Sequence, residues 1–228
     1  MIERGTLYVV STPIGNIADI TLRALEILSA VDEVVCEDTR RTRGLLSHYD
    51  ISKPLTSYSD HNKESRTPGI CSRLAGGRSI ALVSDAGTPG VSDPGFYLVR
   101  EAIRQGITTV PVPGASAILA SLVVSGLPTD RFLFVGFLSR KKGRRRKDIL
   151  SFAKEPGTVI IYEAASRLPS LAADLTELLD EGRRVVIARE MTKRYEEIVR
   201  TDLANLSQTV EKITLKGEFV VLVSGNKG

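Results

Sequence analysis

Short apolar runs rich in β-branched residues alternate with segments of helical periodicity along nearly the whole chain. The strands predicted by these runs are 7–11, 33–36, 56–58, 79–84, 108–112, 132–138, 158–162, 185–188, 198–199 and 219–223. Between them apolar residues recur every three or four positions, as at Leu22, Leu25 and Leu28, which predicts helices. This alternation predicts an α/β fold with mainly parallel or mixed sheets.

Individual residues mark two helix starts and one domain boundary. Thr21 is placed to cap the first long helix. Thr67 followed by Pro68 predicts a helix that begins at the proline, because proline is favoured in the first helical turn. Residues 111–114 contain two prolines and a glycine, which disfavour continuing a helix or a strand. The predicted domains are therefore 1–112 and 113–228.

The composition narrows the class of protein. A hydrophobic content of 42% and a charged content of 25% are typical of globular proteins and argue against disordered or collagen-like chains. The longest apolar runs, 132–138 and 220–223, are much shorter than the ~20 residues of a membrane-spanning helix. The N-terminus lacks the pattern of a signal peptide. We expect a cytoplasmic protein without a membrane partner, and two separated cysteines and two histidines predict no metal site.

Four loops that follow predicted strands have unusual sequences. They are 11–16, 36–42, 84–95 and 113–117. Open α/β sheets bind ligands at the carboxyl ends of their strands, glycines let a backbone approach a ligand, and a helix start suits an anionic group. The first loop holds no GxGxxG, and the chain holds no GxxxxGK[ST]. A dinucleotide-binding Rossmann domain and a P-loop NTPase are therefore disfavoured.

These loops and the C-terminal half carry a series of specific motifs. They are STPIGN (11–16), EDTR (37–40), LVSDAGTP (82–89), PGAS (113–116), GLPTDRF (126–132), YE (162–163) and REMTK (189–193). In order and separation they resemble the ribosomal RNA small subunit methyltransferase I family of the tetrapyrrole methylase superfamily. The resemblance implies S-adenosylmethionine bound in a cleft between two α/β domains, and a homodimer. It also implies 2′-O-methylation of a cytidine ribose in 16S rRNA of the small ribosomal subunit.

The resemblance assigns the cofactor contacts residue by residue. They are Ile14, Ser84, Asp85, Thr88, Ser116, Ala117, Glu163 and Met191. Asp85 suits the ribose hydroxyls or the amino group of the cofactor, with turn formation as the alternative role. Ser116 suits its carboxylate, with helix capping as the alternative.

Methylation of a hydroxyl requires a group that accepts its proton. A carboxylate within hydrogen-bond reach suits this role. Glu37, Asp38 and Asp93 lie on loops that follow strands, and we favour Glu37 and Asp38 as the catalytic candidates. As alternatives, Asp38 caps the following helix and Glu37 pairs with a nearby arginine.

The net charge of +4 is unevenly distributed, since residues 131–147 contain eight basic residues and no acidic one. We predict an RNA-binding loop here, because cations that neutralise phosphates give affinity that falls with salt. A solvated loop without a ligand is the alternative. The RNA-binding candidates are Arg40, Arg140, Lys141, Lys142, Arg144, Arg145, Arg146 and Lys147. Only 5% of residues are aromatic, so base stacking of the RRM kind is not expected.

Two other functions stay open. One is a methyltransferase that acts on a small tetrapyrrole precursor, which the basic segment and the EDTR motif disfavour. The other is a non-catalytic RNA-binding module that assists ribosome assembly. Transfer of a labelled methyl group from S-adenosylmethionine to small subunits, compared with naked RNA and a macrocycle precursor, distinguishes the rRNA methyltransferase from these two alternatives.

Overall fold

The computed structural model describes residues 2–226, which form two compact units that divide between Ser116 and Ala117. The division lies four residues beyond the predicted boundary. Residues 113–116 stay with the first unit, because Gly114 packs closely against Ser11: a β-carbon at Gly114 would lie 3.0 Å from the Ser11 β-carbon.

The first unit is built on a five-stranded sheet in which every pair is parallel, in the order β3-β2-β4-β1-β5. Its strands are β1 (Leu7–Val10), β2 (Glu33–Cys36), β3 (Leu55–Ser57), β4 (Ile80–Val83) and β5 (Thr109–Val112). Its helices are α1 (Leu22–Ala30), α2 (Thr39–His48), α3 (Lys63–Ala75) and α4 (Phe96–Arg104). Separate buried apolar clusters cover the two faces, as a parallel sheet requires. Because all strands of this sheet are parallel, the loops that follow them lie along one edge of the sheet, at the carboxyl ends of the strands.

The second unit contains a mixed sheet in the order β6-β7-β10-β8-β9, in which only β6 and β7 are parallel. Its elements are α5 (Ala117–Ser125), β6 (Phe132–Phe137), α6 (Lys142–Ser151), β7 (Thr158–Ala164), α7 (Leu168–Leu178), β8 (Arg184–Arg189), β9 (Glu197–Asp202), α8 (Leu206–Lys212) and β10 (Glu218–Val223). One core joins apolar residues of α6, α7 and α8 to one face of this sheet. The two sheets confirm the predicted fold class.

The two predicted helix starts have different outcomes. Thr21 caps α1 as predicted, since its Oγ1 accepts a hydrogen bond of 3.1 Å from the amide of Ala24. The predicted start at Pro68 is wrong, because α3 begins at Lys63 and contains the proline. Burial of Thr67 and of three apolar residues further along this helix outweighs the loss of one backbone hydrogen bond. In residues 2–226 no helix has the length and apolar character needed to cross a membrane.

Candidate functional site

The loops that follow β1 and β4 are joined directly. The amide of Thr12 donates to the Gly87 carbonyl at 2.8 Å, and the amide of Gly87 donates to the Thr12 carbonyl at 3.0 Å. Ser11 Oγ and Thr88 Oγ1 lie 2.8 Å apart, and Ser84 Oγ donates to the Gly87 carbonyl at 3.0 Å. Two of the predicted cofactor contacts, Ser84 and Thr88, therefore lie in one network.

Glycines keep this part of the first unit open to a ligand. Gly87 has a φ of +82°, and a β-carbon there would contact the Ile14 side chain at 3.5 Å. The predicted contacts Ile14 and Ser116 are partly buried in the first unit, and the predicted contact Ala117 begins α5 in the second. A backbone without β-carbons next to hydroxyl side chains suits a nucleotide-like cofactor.

Asp85 connects the loop after β4 to the loop after β2. Its Oδ1 accepts a hydrogen bond of 3.0 Å from the amide of Asp38, and its Oδ2 lies 3.5 Å from Arg41 Nη1. The carboxylate therefore holds the two loops together. Asp85 is partly exposed, and its predicted contact with the cofactor stays a prediction.

Asp38 caps α2, which confirms the structural alternative for this residue. Its Oδ1 accepts a hydrogen bond of 2.8 Å from the amide of Arg40, and its Oδ2 lies 3.1 Å from Arg40 Nη2. Hydrogen bonds from the Arg40 side chain and then from its amide lower the pKa of Asp38. A carboxylate with a lowered pKa is a weaker base, so the geometry disfavours Asp38 as the proton acceptor.

Glu37 and Asp93 have the opposite electrostatic environment. Burial, followed by repulsion from Glu37 and Asp85, raises the pKa of Asp93 to about 6, and a hydrogen bond with Ser84 offsets part of this rise. Burial and then the charge of Asp85 also raise the pKa of Glu37. Three carboxylates from two loops therefore interact, since Asp85 and Asp93 follow β4 and Glu37 follows β2. Asp93 is one of three carboxylates named from the sequence but is not favoured there over Glu37 and Asp38, because its position in the chain does not show that it is partly buried.

Glu163 at the end of β7 is the most deeply buried of the predicted cofactor contacts, with 1% of its surface exposed. Its Oε1 accepts a hydrogen bond of 2.9 Å from the amide of Ala164 and lies 3.1 Å from Arg167 Nε. Its Oε2 has no hydrogen-bond partner among the described residues. Burial is the main cause that raises its pKa. Buried carboxylate oxygens are rarely left without a hydrogen-bond partner. A bound ligand would supply the partner that Oε2 lacks among the described residues.

Met191, the last predicted cofactor contact, is buried in a loop of unusual backbone geometry. The residues on either side, Glu190 and Thr192, have φ of +50° and +66°. Residues with side chains rarely adopt this left-handed region, and such positions concentrate at functional sites.

The basic segment forms a helix rather than the predicted loop, since α6 begins at Lys142. Arg145 is 5% exposed, and its Nη2 lies 2.7 Å from Asp174 Oδ2. Arg146 lies 2.5 Å from Glu177 and 3.3 Å from Asp174. Both guanidinium groups are held by carboxylates of α7, and the RNA contact predicted for Arg145 and Arg146 stays a prediction.

Of the other six basic residues of the segment, exposed Arg131 pairs with Glu155 at 2.9 Å, and five face solvent. They are Arg140, Lys141, Lys142, Arg144 and Lys147. None of their side chains forms an ion pair with a carboxylate of residues 2–226. Arg40 of the first unit is also exposed, and it pairs with Asp38. The five solvent-facing residues are called the cation surface of the second unit below.

Comparisons with known proteins agree with these features. The family model of tetrapyrrole (corrin/porphyrin) methylases matches residues 6–207. Ribosomal RNA small subunit methyltransferase I of Halalkalibacterium halodurans is 46% identical over 224 residues, covering 98% of this chain and 77% of that protein. The protein of the same name from Synechocystis is 47% identical over 221 residues, covering 97% and 79%.

A solved structure shows the same fold. Uroporphyrin-III C-methyltransferase from Thermus thermophilus, complexed with S-adenyl homocysteine, has a TM-score of 0.66 and 20% identity, covering 96% of this chain and 97% of that one. At this identity the likeness concerns the fold alone. The family match and the two relatives confirm the resemblance found in the sequence motifs. The chain belongs to the tetrapyrrole methylase family and, within it, to the ribosomal RNA small subunit methyltransferase I family.

Proposed function

We propose that this protein is an S-adenosylmethionine-dependent methyltransferase that methylates the 2′-hydroxyl of a cytidine ribose in 16S rRNA of the small ribosomal subunit. The observation that carries the proposal is the identity of 46% and 47%, over nearly the whole chain, with proteins named ribosomal RNA small subunit methyltransferase I. The fold shared with a methyltransferase crystallised with S-adenyl homocysteine supports the choice of methyl donor.

The proposed donor contacts are those that the sequence motifs assign. In the first unit they are Ile14, Ser84, Asp85, Thr88 and Ser116, and in the second they are Ala117, Glu163 and Met191. The donor supplies a methyl group bound to a positively charged sulfur. Gly87 and Gly114 leave the backbone accessible, and the unpaired Oε2 of Glu163 accepts a hydrogen bond from an amine or hydroxyl.

Asp93 is the proposed proton acceptor. Its pKa of about 6 makes it a stronger base than an ordinary carboxylate, yet it is largely ionised above pH 7. Glu37 contributes to this property, because its charge raises the pKa of Asp93. Glu37 remains a proposed second carboxylate at the site, and Asp38 holds the loop by capping α2.

The exposed cations of α6 and of the residues just before it are proposed to bind the RNA backbone. These five side chains form no ion pair with a carboxylate of residues 2–226, so binding to phosphates displaces mobile counterions rather than existing ion pairs. Arg40 is a further RNA contact by proposal. Recognition then depends on the shape of the folded particle more than on base stacking.

The protein is proposed to act in the cytoplasm as a homodimer. The second unit exposes apolar residues on α5 and on the edge strand β6, among them Leu119, Val123 (70% exposed) and Phe137. Exposed apolar patches of this kind mark interaction surfaces. Sedimentation equilibrium tests this assembly: Val123→Asp is expected to give a monomer, and a wild-type protein that is monomeric at micromolar concentration contradicts the proposal.

The decisive experiment is transfer of a labelled methyl group from S-adenosylmethionine to three substrates. They are small subunits lacking the modification, protein-free 16S rRNA, and a tetrapyrrole precursor. Label is expected in the RNA of the small subunits, on the ribose rather than the base. Label only in the tetrapyrrole would establish a small-molecule methyltransferase. No label in any substrate, together with RNA binding, would establish a non-catalytic module.

A further inference from the structure

The loop after β8 holds Met191 between two strained residues. Glu190 and Thr192 both have positive φ, and neither is glycine or asparagine. Such a conformation persists only where surrounding contacts determine it. The contacts of this loop therefore show what holds Met191 in place.

Lys193 closes the loop onto the start of β10. Its Nζ donates to Glu190 Oε1 at 2.9 Å and to Glu218 Oε2 at 2.8 Å. Glu190 Oε1 also accepts a hydrogen bond of 3.0 Å from the amide of Glu218. One ammonium group thus joins both carboxylates, which would otherwise face each other without a cation between them.

Two further contacts hold the same loop. The amide of Thr192 donates to Glu196 Oε2 at 2.6 Å. Gly217 has a φ of +89°, and a β-carbon there would overlap the Glu190 side chain. Glu190 therefore fits closely against the backbone before β10, and Lys193 is the only group of the described chain that bridges Glu190 to the Glu218 side chain.

We propose that Lys193 is a positioning residue for the methyl donor: it holds the Glu190–Thr192 backbone in the strained conformation that places Met191 at the donor site. The inference rests on the proposed function, because Met191 is one of the proposed donor contacts. In this role Lys193 acts through the loop backbone and does not touch the reacting atoms. Without its ammonium group, the two carboxylates repel each other, the backbone relaxes from the left-handed region, and Met191 moves away.

A double-mutant cycle in the full-length protein tests this role. Lys193→Ala, Lys193→Arg, Met191→Ala and the double alanine variant are compared by calorimetric titration with S-adenosylhomocysteine. Lys193→Ala is expected to weaken binding about tenfold, as for the loss of one charge-assisted hydrogen bond. Lys193→Arg is expected to recover most of the affinity. In the Met191→Ala background, Lys193→Ala is expected to have no further effect, because the residue that it positions is already absent.

The same titrations include a control variant at a lysine far from the loop in sequence. Lys212→Ala removes an exposed lysine at the end of α8 and is expected to leave affinity unchanged. An equal loss of affinity in both backgrounds would overturn the proposal, as would unchanged affinity in Lys193→Ala or in Met191→Ala. These results would not bear on the proposed function, which is tested separately by methyl transfer from the wild-type protein to small subunits. Failure of the wild-type protein to bind S-adenosylhomocysteine would instead overturn the proposed function.

Discussion

Replacing Asp93 by asparagine is expected to raise stability and abolish most turnover. Asparagine keeps the size of the side chain and removes the charge that burial, Glu37 and Asp85 disfavour. Because the folded pKa of about 6 lies above the unfolded value of 3.8, stability from this group is fully present below about pH 4 and is lost as the pH rises through 6. Each tenfold change in acidity corresponds to about 1.36 kcal/mol. Ionised Asp93 therefore lowers the free energy of unfolding by up to ~3 kcal/mol above pH 7.

Urea unfolding at pH 4 and pH 8 measures this effect. Asp93→Asn and wild type are expected to be equally stable at pH 4, and the variant is expected to be about 2 kcal/mol more stable at pH 8, after allowance for partial exposure. Wild-type turnover is expected to rise with pH through an apparent pKa near 6, and the variant to lose roughly 10²- to 10⁴-fold in kcat with unchanged donor affinity.

Asp38→Asn is the matched control for the Asp93 variant. Asparagine caps helices about as well as aspartate, so both stability and turnover are expected to stay near wild type. The reasoning about Asp93 would be refuted by a stability difference between Asp93→Asn and wild type that does not grow with pH. Turnover that survives in Asp93→Asn and falls in Asp38→Asn would refute the choice of proton acceptor.

Three further predictions concern the second unit. Arg145→Ala is expected to lower the free energy of unfolding by about 3 kcal/mol, measured with urea, because buried Asp174 then keeps only Arg146, at 3.3 Å; wild-type stability would contradict this. Arg144→Ala is expected to reduce the slope of log affinity for RNA against log salt by about 0.7 to 0.9, and an unchanged slope would exclude this side chain from the interface. Gly217→Ala is expected to destabilise the protein by about 1 to 3 kcal/mol and to weaken donor binding, because its positive φ and its contact with Glu190 exclude a β-carbon; a wild-type melting temperature would contradict this.

Hydrophobic periodicity predicts the order of the strands, because apolar core positions repeat locally along the chain, but it does not predict α6, whose run of basic residues indicates a loop. The rule that ligands bind beyond the carboxyl ends of strands also led to loops that the structure joins, as in the pairing of Thr12 with Gly87. The start of α3 was not predictable in this way, since burial along the whole helix decides whether Pro68 is tolerated.

The properties of single charged groups depend on distant residues. Asp93 owes its raised pKa to burial, to Glu37 on another loop and to Asp85 eight positions earlier on its own loop, and no local pattern shows this burial or the contribution of Glu37. Arg145 is 29 positions from its partner Asp174, so the run of cations gave no sign that one of them belongs to the core. Residue type alone therefore does not show which charged groups are buried or paired within the protein.

The buried ion pair of Arg145 also determines which cations of α6 reach solvent. Successive helical residues are rotated by about 100°, so a helix that turns Arg145 towards Asp174 turns Arg144 and Lys147 away from α7. An apolar residue at 145 would fill the same space without the directional bonds from Nε and Nη2 to one carboxylate oxygen. The pair therefore fixes the rotation of the helix as well as its position. The core of the second unit and its cation surface follow from one and the same helix orientation.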